Sequence, residues 1–336
     1  MDEKDISILA IETSCDETAA AVVRRGREVL SSVIYSQTEI HKKFGGVVPE
    51  VASRSHTLLI NDIAAEALRK SGKTFGEIDA VAVTYGAGLL GALLVGVSYA
   101  KAVSYALNIP LIAVDHIKGH IAANYITHKD LKPPFICLVV SGGHTTLFEI
   151  KSYTEHKILG MSVDDAAGEA FDKAARALGL GYPGGPAIDE HAKIGKPSID
   201  FPVSRVGKYD FSYSGLKTSV LNYINNCKQK KEQIDVAGVC ASFQKAAIDV
   251  LVGKSVKACR EFGYNTLCLA GGVSANGYLR QAARDKCAKY GISLYYPLKE
   301  YCTDNAAMIG AEAYYNYISG IGVADLSLNA QAHISR

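Results

Sequence analysis

The chain has 336 residues, a formal net charge of +2, 48% hydrophobic residues and 21% charged residues. That length is too great for one simple core and suits two domains, and the composition is that of an ordinary soluble globular protein. A charge so near zero excludes a global field that would draw nucleic acid, so any RNA contact has to come from local patches.

The opening Met-Asp-Glu-Lys-Asp is acidic, which argues against a secretory signal or a mitochondrial presequence. The longest apolar run, Ala87 to Ala100, contains three glycines. It falls short of the ~20 residues that span a bilayer, so no membrane association is expected. Eight cysteines are scattered without a C-x-x-C pair, and Cys137 and Cys268 fall in apolar strand-like runs as buried thiols. A reducing cytoplasm fits this usage.

Ile6 to Ile11 reads as a strand, Glu12 to Thr18 as a polar tip, and Ala19 to Val23 as a returning strand. Such a tip can meet a phosphate or a phosphate-bound cation, and it can equally be an ordinary turn. Glu28 to Tyr35 is a third strand. After a loop over 41–49, Pro49 suits the first turn of a helix that runs to about Lys70, with Gly72 as its stop. Ile78 to Val83 is the next strand, and a long apolar helix from Tyr85-Gly86-Ala87-Gly88 extends through Leu107. Gly91 and Gly96 within it cost helix propensity and imply close packing.

The run Leu111 to Val114 is a buried strand. Asp115 stands where an N-cap is wanted, and apolar residues recur at 117, 121 and 125, so the spacing predicts a helix. His116 and His120 then lie one turn apart on one face. Neutral imidazoles so placed can bind one metal ion, and a carboxylate such as Asp304, brought in by the fold, would complete a two-histidine, one-carboxylate set suited to iron(II) or zinc. For the bare H-x-x-x-H pattern, two unrelated histidines on a solvated helix are the commoner arrangement. It is not the zincin protease motif, because Ile117 stands in place of the required Glu.

Pro133-Pro134 marks a hinge, after which the chain begins again as it began. Phe135 to Val140 is a strand, Ser141 to Thr145 a tip, and Thr146 to Ile150 a returning strand. The repeat predicts a duplicated domain with a cleft between the copies, and glycines in the second tip let backbone N–H groups approach an anion. Asp164 to Lys173 starts a helix ending near Leu178, Gly179 to Pro186 is a rigid turn region, and Asp189 lies on the next short helix. Asp210 to Thr218 is a polar-aromatic loop, and Lys228, Lys230 and Lys231 form a basic run of the kind that is usually solvated. A long amphipathic helix covers about Ile234 to Phe262. The strand Thr266 to Ala270, Gly271-Gly272 and a helix over 277–289 make a general nucleotide-site pattern. Ile292 to Tyr296 is a strand, Asp304 begins the last helix, to about Ser319, and the tail from Leu326 is expected to be loosely ordered.

Nine segments carry a resemblance: Ile11-Glu-Thr-Ser-Cys-Asp-Glu-Thr18, Phe44-Gly-Gly-Val-Val-Pro-Glu50, His116-x-x-Gly-His120, Val140-Ser-Gly-Gly-His-Thr145, Asp164 through Lys173, Tyr182-Pro-Gly-Gly-Pro186, Phe211-Ser-Tyr-Ser-Gly-Leu-Lys-Thr218, Ala270-Gly-Gly-Val-Ser-Ala-Asn276 and Cys302-Thr-Asp-Asn305. In order and over nearly the whole chain, they resemble the TsaD (Gcp) family, and His144 resembles the bacterial or organellar branch. The resemblance implies an α/β fold, the duplicated actin-like, sugar-kinase and heat-shock ATPase (ASKHA, RNase H-like) fold, with two lobes and a cleft. It places the first lobe at 1–132, with a C-terminal helix in 304–336 packing back on it, and the second at 133–303.

The same resemblance implies a bacterial cytoplasmic tRNA N6-adenosine threonylcarbamoyltransferase. Its substrate would be threonylcarbamoyl-AMP, and its acceptor the adenosine 3′ of the anticodon in tRNAs reading ANN codons. The metal ligands carry over to His116, His120 and Asp304, for one divalent ion, with Fe(II) favoured and Zn second. The substrate-binding positions carry over to Val139, Val140, Ser141, Gly142, Gly143, Asp172, Gly185, Asp189 and Asn276. Asp16 and Glu17 are candidates for taking the amine proton or orienting a partner group. Implied partners are tRNA, a TsaB-like paralogue, a TsaE-like ATPase and an upstream threonylcarbamoyl-AMP synthase. The chain departs from the family pattern at Ala87, where Pro is usual, at Lys118, where an acid is common, and in a tail without an Arg/Trp-rich ending. The competing readings are an ATP-dependent small-molecule kinase or ATPase of the same fold, a metalloprotease, and a non-catalytic scaffold.

Overall fold

Strand β1 (Ser7–Glu12) is buried along its whole length, as expected of a strand covered on both faces. Its polar tip turns the chain into β2 (Glu17–Arg24), antiparallel to β1 with Ile11 opposite Ala20, and β2 pairs in turn with β3 (Glu28–Ser36). A five-residue helix α1 (Thr38–Lys42) and the long α2 (Pro49–Ser71) follow. Helix α2 has Pro at its first position and ends at Gly72, whose φ of +69° is the left-handed conformation glycine adopts without cost. Strand β4 (Ala80–Gly86) returns parallel to β1. Helix α3 (Leu90–Leu107) crosses so near the β1–β2 tip that a Cβ on Gly96 would overlap Thr13 Oγ1. Strand β5 (Leu111–Asp115) runs parallel to β4, and α4 (His116–Thr127) follows it directly. A computed structural model describes residues 4–204 and 206–334 of the chain.

The pattern then repeats. Strands β6 (Phe135–Val140), β7 (Thr145–Ile150) and β8 (His156–Met161) form an antiparallel meander. Helices α5 (Ala167–Ala177), α6 (Gly184–Ile194), α7 (Ser214–Lys230) and α8 (Val236–Phe262) come next. Strand β9 (Thr266–Ala270) pairs parallel to β6, helix α9 (Gly277–Lys289) follows, and β10 (Ser293–Tyr295) pairs parallel to β9. The sheet order β10-β9-β6-β7-β8 reproduces β5-β4-β1-β2-β3 of the first sheet, with the same parallel and antiparallel neighbours. This is the duplication expected from the two strand–tip–strand openings. The core of the second sheet is closed by α5 to α9, with Phe171, Phe211, Tyr213 and Phe243 buried in it.

Helix α10 (Ala306–Ile318) lies against α4, β1 and β2, and β11 (Val323–Ala324) adds to the edge of β5. Contacts divide the chain into two units. The first takes residues up to Lys132, Ser152–Thr154 and those from Pro297 onward; the second takes Pro133–Lys151 and Glu155–Tyr296. The return to the first unit therefore occurs after Tyr296 rather than at 303, because Leu298 N–H already bonds the Thr127 hydroxyl of α4 at 3.1 Å.

Several expectations need correction. The helix expected from Asp164 starts at Ala167. Asp164 instead accepts from Ser212 and Ser214 hydroxyls and the Tyr213 N–H. The polar-aromatic stretch over 210–218 is not all loop, since α7 starts at Ser214. The helix expected to start at Tyr85 begins at Leu90, and the last helix begins at Ala306, capped by Asn305. The tail from Leu326 is not loose over its described part. Gln331 N–H donates to Tyr85 C=O at 2.8 Å, Gly88 N–H donates to Ala332 C=O at 3.1 Å, and Ala330 is buried.

Candidate functional site

Helix α4 starts where it does because the Asp115 carboxylate accepts from Ile117 N–H at 2.8 Å, capping the first turn. That fixes His116 at the first helical position and His120 one turn on. Gly119 lets α10 approach: a Cβ there would lie 2.7 Å from Ile309 Cδ1. The approach delivers Asp304, just before the α10 cap, to both imidazoles. Asp304 Oδ1 lies 3.4 Å from His116 Nε2 and 3.3 Å from His120 Nε2. One donor atom from each of the three residues falls within 4.8 Å of the others.

The donor set fits a divalent ion. Both Nε2 atoms converge on one carboxylate oxygen, and His120, fully buried, makes no hydrogen bond through either ring nitrogen among the described residues. Two imidazoles and a carboxylate are borderline ligands of the kind zinc and iron(II) take. On the far side, His116 Nδ1 lies 3.1 Å from Glu12 Oε2 and 3.1 Å from Ser14 Oγ. Glu12 also accepts from Ser14 N–H and from the Thr84 hydroxyl, both at 2.5 Å. Burial alone would hold the His116 imidazolium down, but the Asp304 and Glu12 carboxylates outweigh it and raise its pKa well above the ordinary range. Burial opposes ionisation of Asp304 too, yet His116 and His120 hold its carboxyl far below the usual carboxylate range. His120 is lowered, burial being the main cause.

Asp16 and Glu17 sit on the same β1–β2 tip. Asp16 is nearly buried, and its backbone C=O accepts from Gln37 N–H at 3.0 Å. Glu17 accepts from the Ser36 hydroxyl at 3.1 Å. Burial, with Asp304 and Asp16 adding negative charge, pushes the Glu17 carboxyl up to about 10. Without a cation nearby, Glu17 is therefore protonated at neutral pH. The tip is tied from beneath by His56 of α2, which the sequence reading did not single out. Nor did it pair Glu12 with His116. The two are 104 residues apart, and only the β1–β4–β5 register brings them together.

In the second unit, the β6–β7 tip is closed by Ser141 N–H donating to His144 C=O at 2.8 Å. The space beside Gly142, Gly143 and Gly185 is open, so nothing in the packing requires glycine there. Gly168, Gly184 and Gly271 are different: a Cβ on each would run into backbone, at Ser141, Asp172 and Val140 respectively. Val139 and Val140 have buried side chains in β6 and offer a ligand only their backbone. Asp172 accepts from Gly184 N–H at 2.7 Å and so caps α6. Its pKa is raised because burial outweighs those backbone donors. Asp189 on α6 accepts from Gly277 N–H at 3.2 Å. Asn276 caps α9 through Leu279 N–H at 2.8 Å, and its amide donates to Gln244 Oε1, also at 2.8 Å. Asp172, Asp189 and Asn276 thus each bond the N-terminal turn of a helix, α6 or α9, and the backbone of Gly142, Gly143 and Gly185 is open.

Helices α3 and α8 are long and apolar enough to cross a membrane by length and composition, but 39% and 61% of their most apolar windows are buried inside the structure.

A family model described as TsaD, tRNA N6-adenosine threonylcarbamoyltransferase, matches residues 28–311. A Clostridioides difficile (strain 630) protein named tRNA N6-adenosine threonylcarbamoyltransferase is 58% identical over 329 residues, 97% of each chain. A Clostridium kluyveri protein of the same name is 56% identical over 332 residues, 98% of this chain and 97% of the other. Among solved structures, full-length HypF in its phosphate- and nucleotide-bound form is similar with a TM-score of 0.64 at 16% identity, over 95% of this chain and 47% of that one. Component A of Acidaminococcus fermentans (R)-2-hydroxyglutaryl-CoA dehydratase is similar with a TM-score of 0.53 at 12% identity, over 93% of this chain and 99% of that one. At those identities the likeness speaks for the fold, which is the duplicated actin-like, sugar-kinase and heat-shock ATPase type.

Proposed function

The chain belongs to the TsaD family of tRNA N6-adenosine threonylcarbamoyltransferases, and we propose from that membership that it draws on threonylcarbamoyl-AMP and modifies the adenosine 3′ of the anticodon in tRNAs that read ANN codons. It is an acyltransferase that acts on tRNA. In the proposed reaction the adenosine N6 attacks the threonylcarbamoyl carbonyl, the bond from that carbon to the phosphate oxygen breaks, AMP leaves, and N6 gives up one proton.

The observation that carries the reading is the convergence of His116, His120 and Asp304 within one unit of a chain whose family performs this transfer. These three residues would hold one divalent ion, iron(II) in preference to zinc. Such an ion supplies Lewis-acid polarisation of an oxygen or a fixed point for a carboxylate. The chain's own part is to bind, orient and exclude water. A mixed anhydride already has a good leaving group, so most of the barrier is positioning and charge on the carbonyl oxygen. Open backbone at Gly142, Gly143 and Gly185, the main chain of Val139 to Ser141, and Asp172, Asp189 and Asn276 would bind the AMP half, the carboxylates taking ribose hydroxyls. Asp16 is the tip residue better suited to accept the N6 proton. Glu17, protonated in the metal-free protein, suits orientation by donating a hydrogen bond.

The reading includes cytoplasmic work with a TsaB-like paralogue, a TsaE-like ATPase and a synthase that supplies threonylcarbamoyl-AMP. A kinase or ATPase of the same fold has no use for the histidine pair, and a zincin-type protease lacks its Glu at Ile117. Nucleoside mass analysis of unmodified tRNA, incubated with threonylcarbamoyl-AMP, this protein and those partners, tests the assignment. Wild type should form threonylcarbamoyladenosine, and folded His116→Ala/His120→Ala should not. No product from wild type would sink the substrate assignment, and equal product from both would leave the histidines structural.

A further inference from the structure

We propose that Glu12 is the positioning residue of the metal centre, holding His116 in the Nδ1-protonated tautomer so that Nε2 is presented to the ion. This rests on the reading of His116, His120 and Asp304 as a metal set. Glu12 is on β1 and fully buried, and nothing in the proposed transfer uses it directly. Its two oxygens are surrounded by donors from three separate elements: Ser14 N–H on Oε1, and the Thr84 hydroxyl and His116 Nδ1 on Oε2. An ionised carboxylate only accepts hydrogen bonds, so the proton between Glu12 and His116 belongs to Nδ1. A neutral imidazole with that proton has its lone pair on Nε2, the atom that faces Asp304.

Charge supports the same assignment. With a divalent ion bound, both imidazoles are neutral, and the two positive charges of the ion would balance the carboxylates of Asp304 and Glu12, a pair that is costly to hold uncompensated where water is scarce. The two histidines are also unequal. His120 has no hydrogen-bonded partner on Nδ1 among the described residues, whereas His116 has Glu12 and Ser14. The geometry therefore fixes the orientation of one ring before an ion arrives and leaves the other ring to adjust. Carboxylate partners of this kind set ring orientation and ligand basicity.

The test is zinc affinity of the full chain, by competition with a chromophoric chelator, for wild type, Glu12→Gln, Thr84→Val and His120→Ala. Glutamine keeps the size of Glu12 but sets an NH2 group against Ser14 N–H, or against Nδ1, where it would drive the proton to Nε2. Loss of about 10–100-fold in zinc affinity is expected for folded Glu12→Gln, with a smaller loss for folded Thr84→Val. Long-range proton–nitrogen spectra of zinc-loaded wild type give an answer that needs no variant: His116 should show N–H at Nδ1 and zinc at Nε2. Unchanged affinity in folded Glu12→Gln, or zinc on His116 Nδ1, would overturn the role of Glu12. No zinc binding by wild type would overturn the metal reading itself, and that outcome is distinct because it does not depend on Glu12.

Discussion

His56 Nδ1 lies 2.7 Å from the Thr18 hydroxyl, and because His56 Nε2 is 2.9 Å from the Cys15 carbonyl, which can only accept, the ring is the Nε2–H tautomer and Thr18 donates to it. One side chain of α2 thus clamps the tip that holds Asp16 and Glu17 from both ends. Replacing it with Ala leaves the Cys15 carbonyl and the Thr18 hydroxyl buried without these bonds. His56→Ala should lose about 2–4 kcal/mol of stability in chemical unfolding, and turnover should fall by more than the melting change explains at a temperature where the variant is folded.

The same histidine gives a pH dependence. Burial is the main cause holding His56 below its ordinary value of 6.5, so it stays neutral in the folded chain while the unfolded chain protonates. Its contribution is fully present above pH 6.5 and is lost as pH falls through that value towards the folded pKa. The stability gap between wild type and His56→Gln should therefore narrow from pH 7 to pH 5 in parallel urea titrations. His116, whose pKa is shifted the other way, is present in both proteins and cancels. A constant gap would contradict the neutral assignment.

Metal removal should be visible as stability. An ion that binds only the folded chain adds roughly 2.7 kcal/mol when free metal is at 100 times its Kd. Chelator should lower the melting temperature of metal-loaded wild type and leave His120→Ala unmoved. A chelator effect of the same size in that variant would place the ion elsewhere.

Two adjacent glycines on α6 should behave oppositely. A Cβ on Gly184 would sit 2.6 Å from Asp172 Cα and 2.7 Å from Ala175 Cβ, whereas Gly185 faces open space. Gly184→Ala should cost about 1–3 kcal/mol by overpacking. Gly185→Ala should melt like wild type and weaken binding of an AMP analogue in calorimetry, if that space is where the nucleotide lies.

Arg27 holds the chain just beyond α4. Its guanidinium donates to the carbonyls of His128 at 3.1 Å, Lys129 at 2.8 Å and Leu131 at 2.8 Å, and to the Tyr315 hydroxyl at 2.7 Å. A lysine cannot reproduce that fork. Arg27→Lys should lower stability by about 2–3 kcal/mol in denaturant titration.

The sequence made local patterns legible. The Asp115 cap and the 117, 121, 125 spacing located α4, and with it the shared face of His116 and His120. The two strand–tip–strand openings disclosed the duplication, because a hairpin is written in contiguous residues. Contacts made by tertiary placement were not legible. Glu12 looked like one more polar tip residue until β4 and β5 brought Thr84 and His116 to it. Asp164 looked like a helix start because its partners, Ser212 and Ser214, are some fifty residues away. The tail lacks periodicity, and its order comes from backbone bonds to a loop more than two hundred residues upstream, which composition does not report.

That tail bears on how the protein is handled at the bench. Gln331 holds the end of β4 at Tyr85 and Ala332 holds the loop between β4 and α3 at Gly88, and in that loop Leu89 N–H donates to the Ser14 carbonyl at 2.8 Å. Ser14 Oγ in turn sits beside His116 Nδ1. An affinity tag or reporter fused after Arg336 is therefore attached a few residues from a chain of contacts that ends at His116. Enzyme carrying such a fusion is a different reagent from enzyme tagged at the other end, and matched preparations of the two would show by their metal content how strongly the strap is felt.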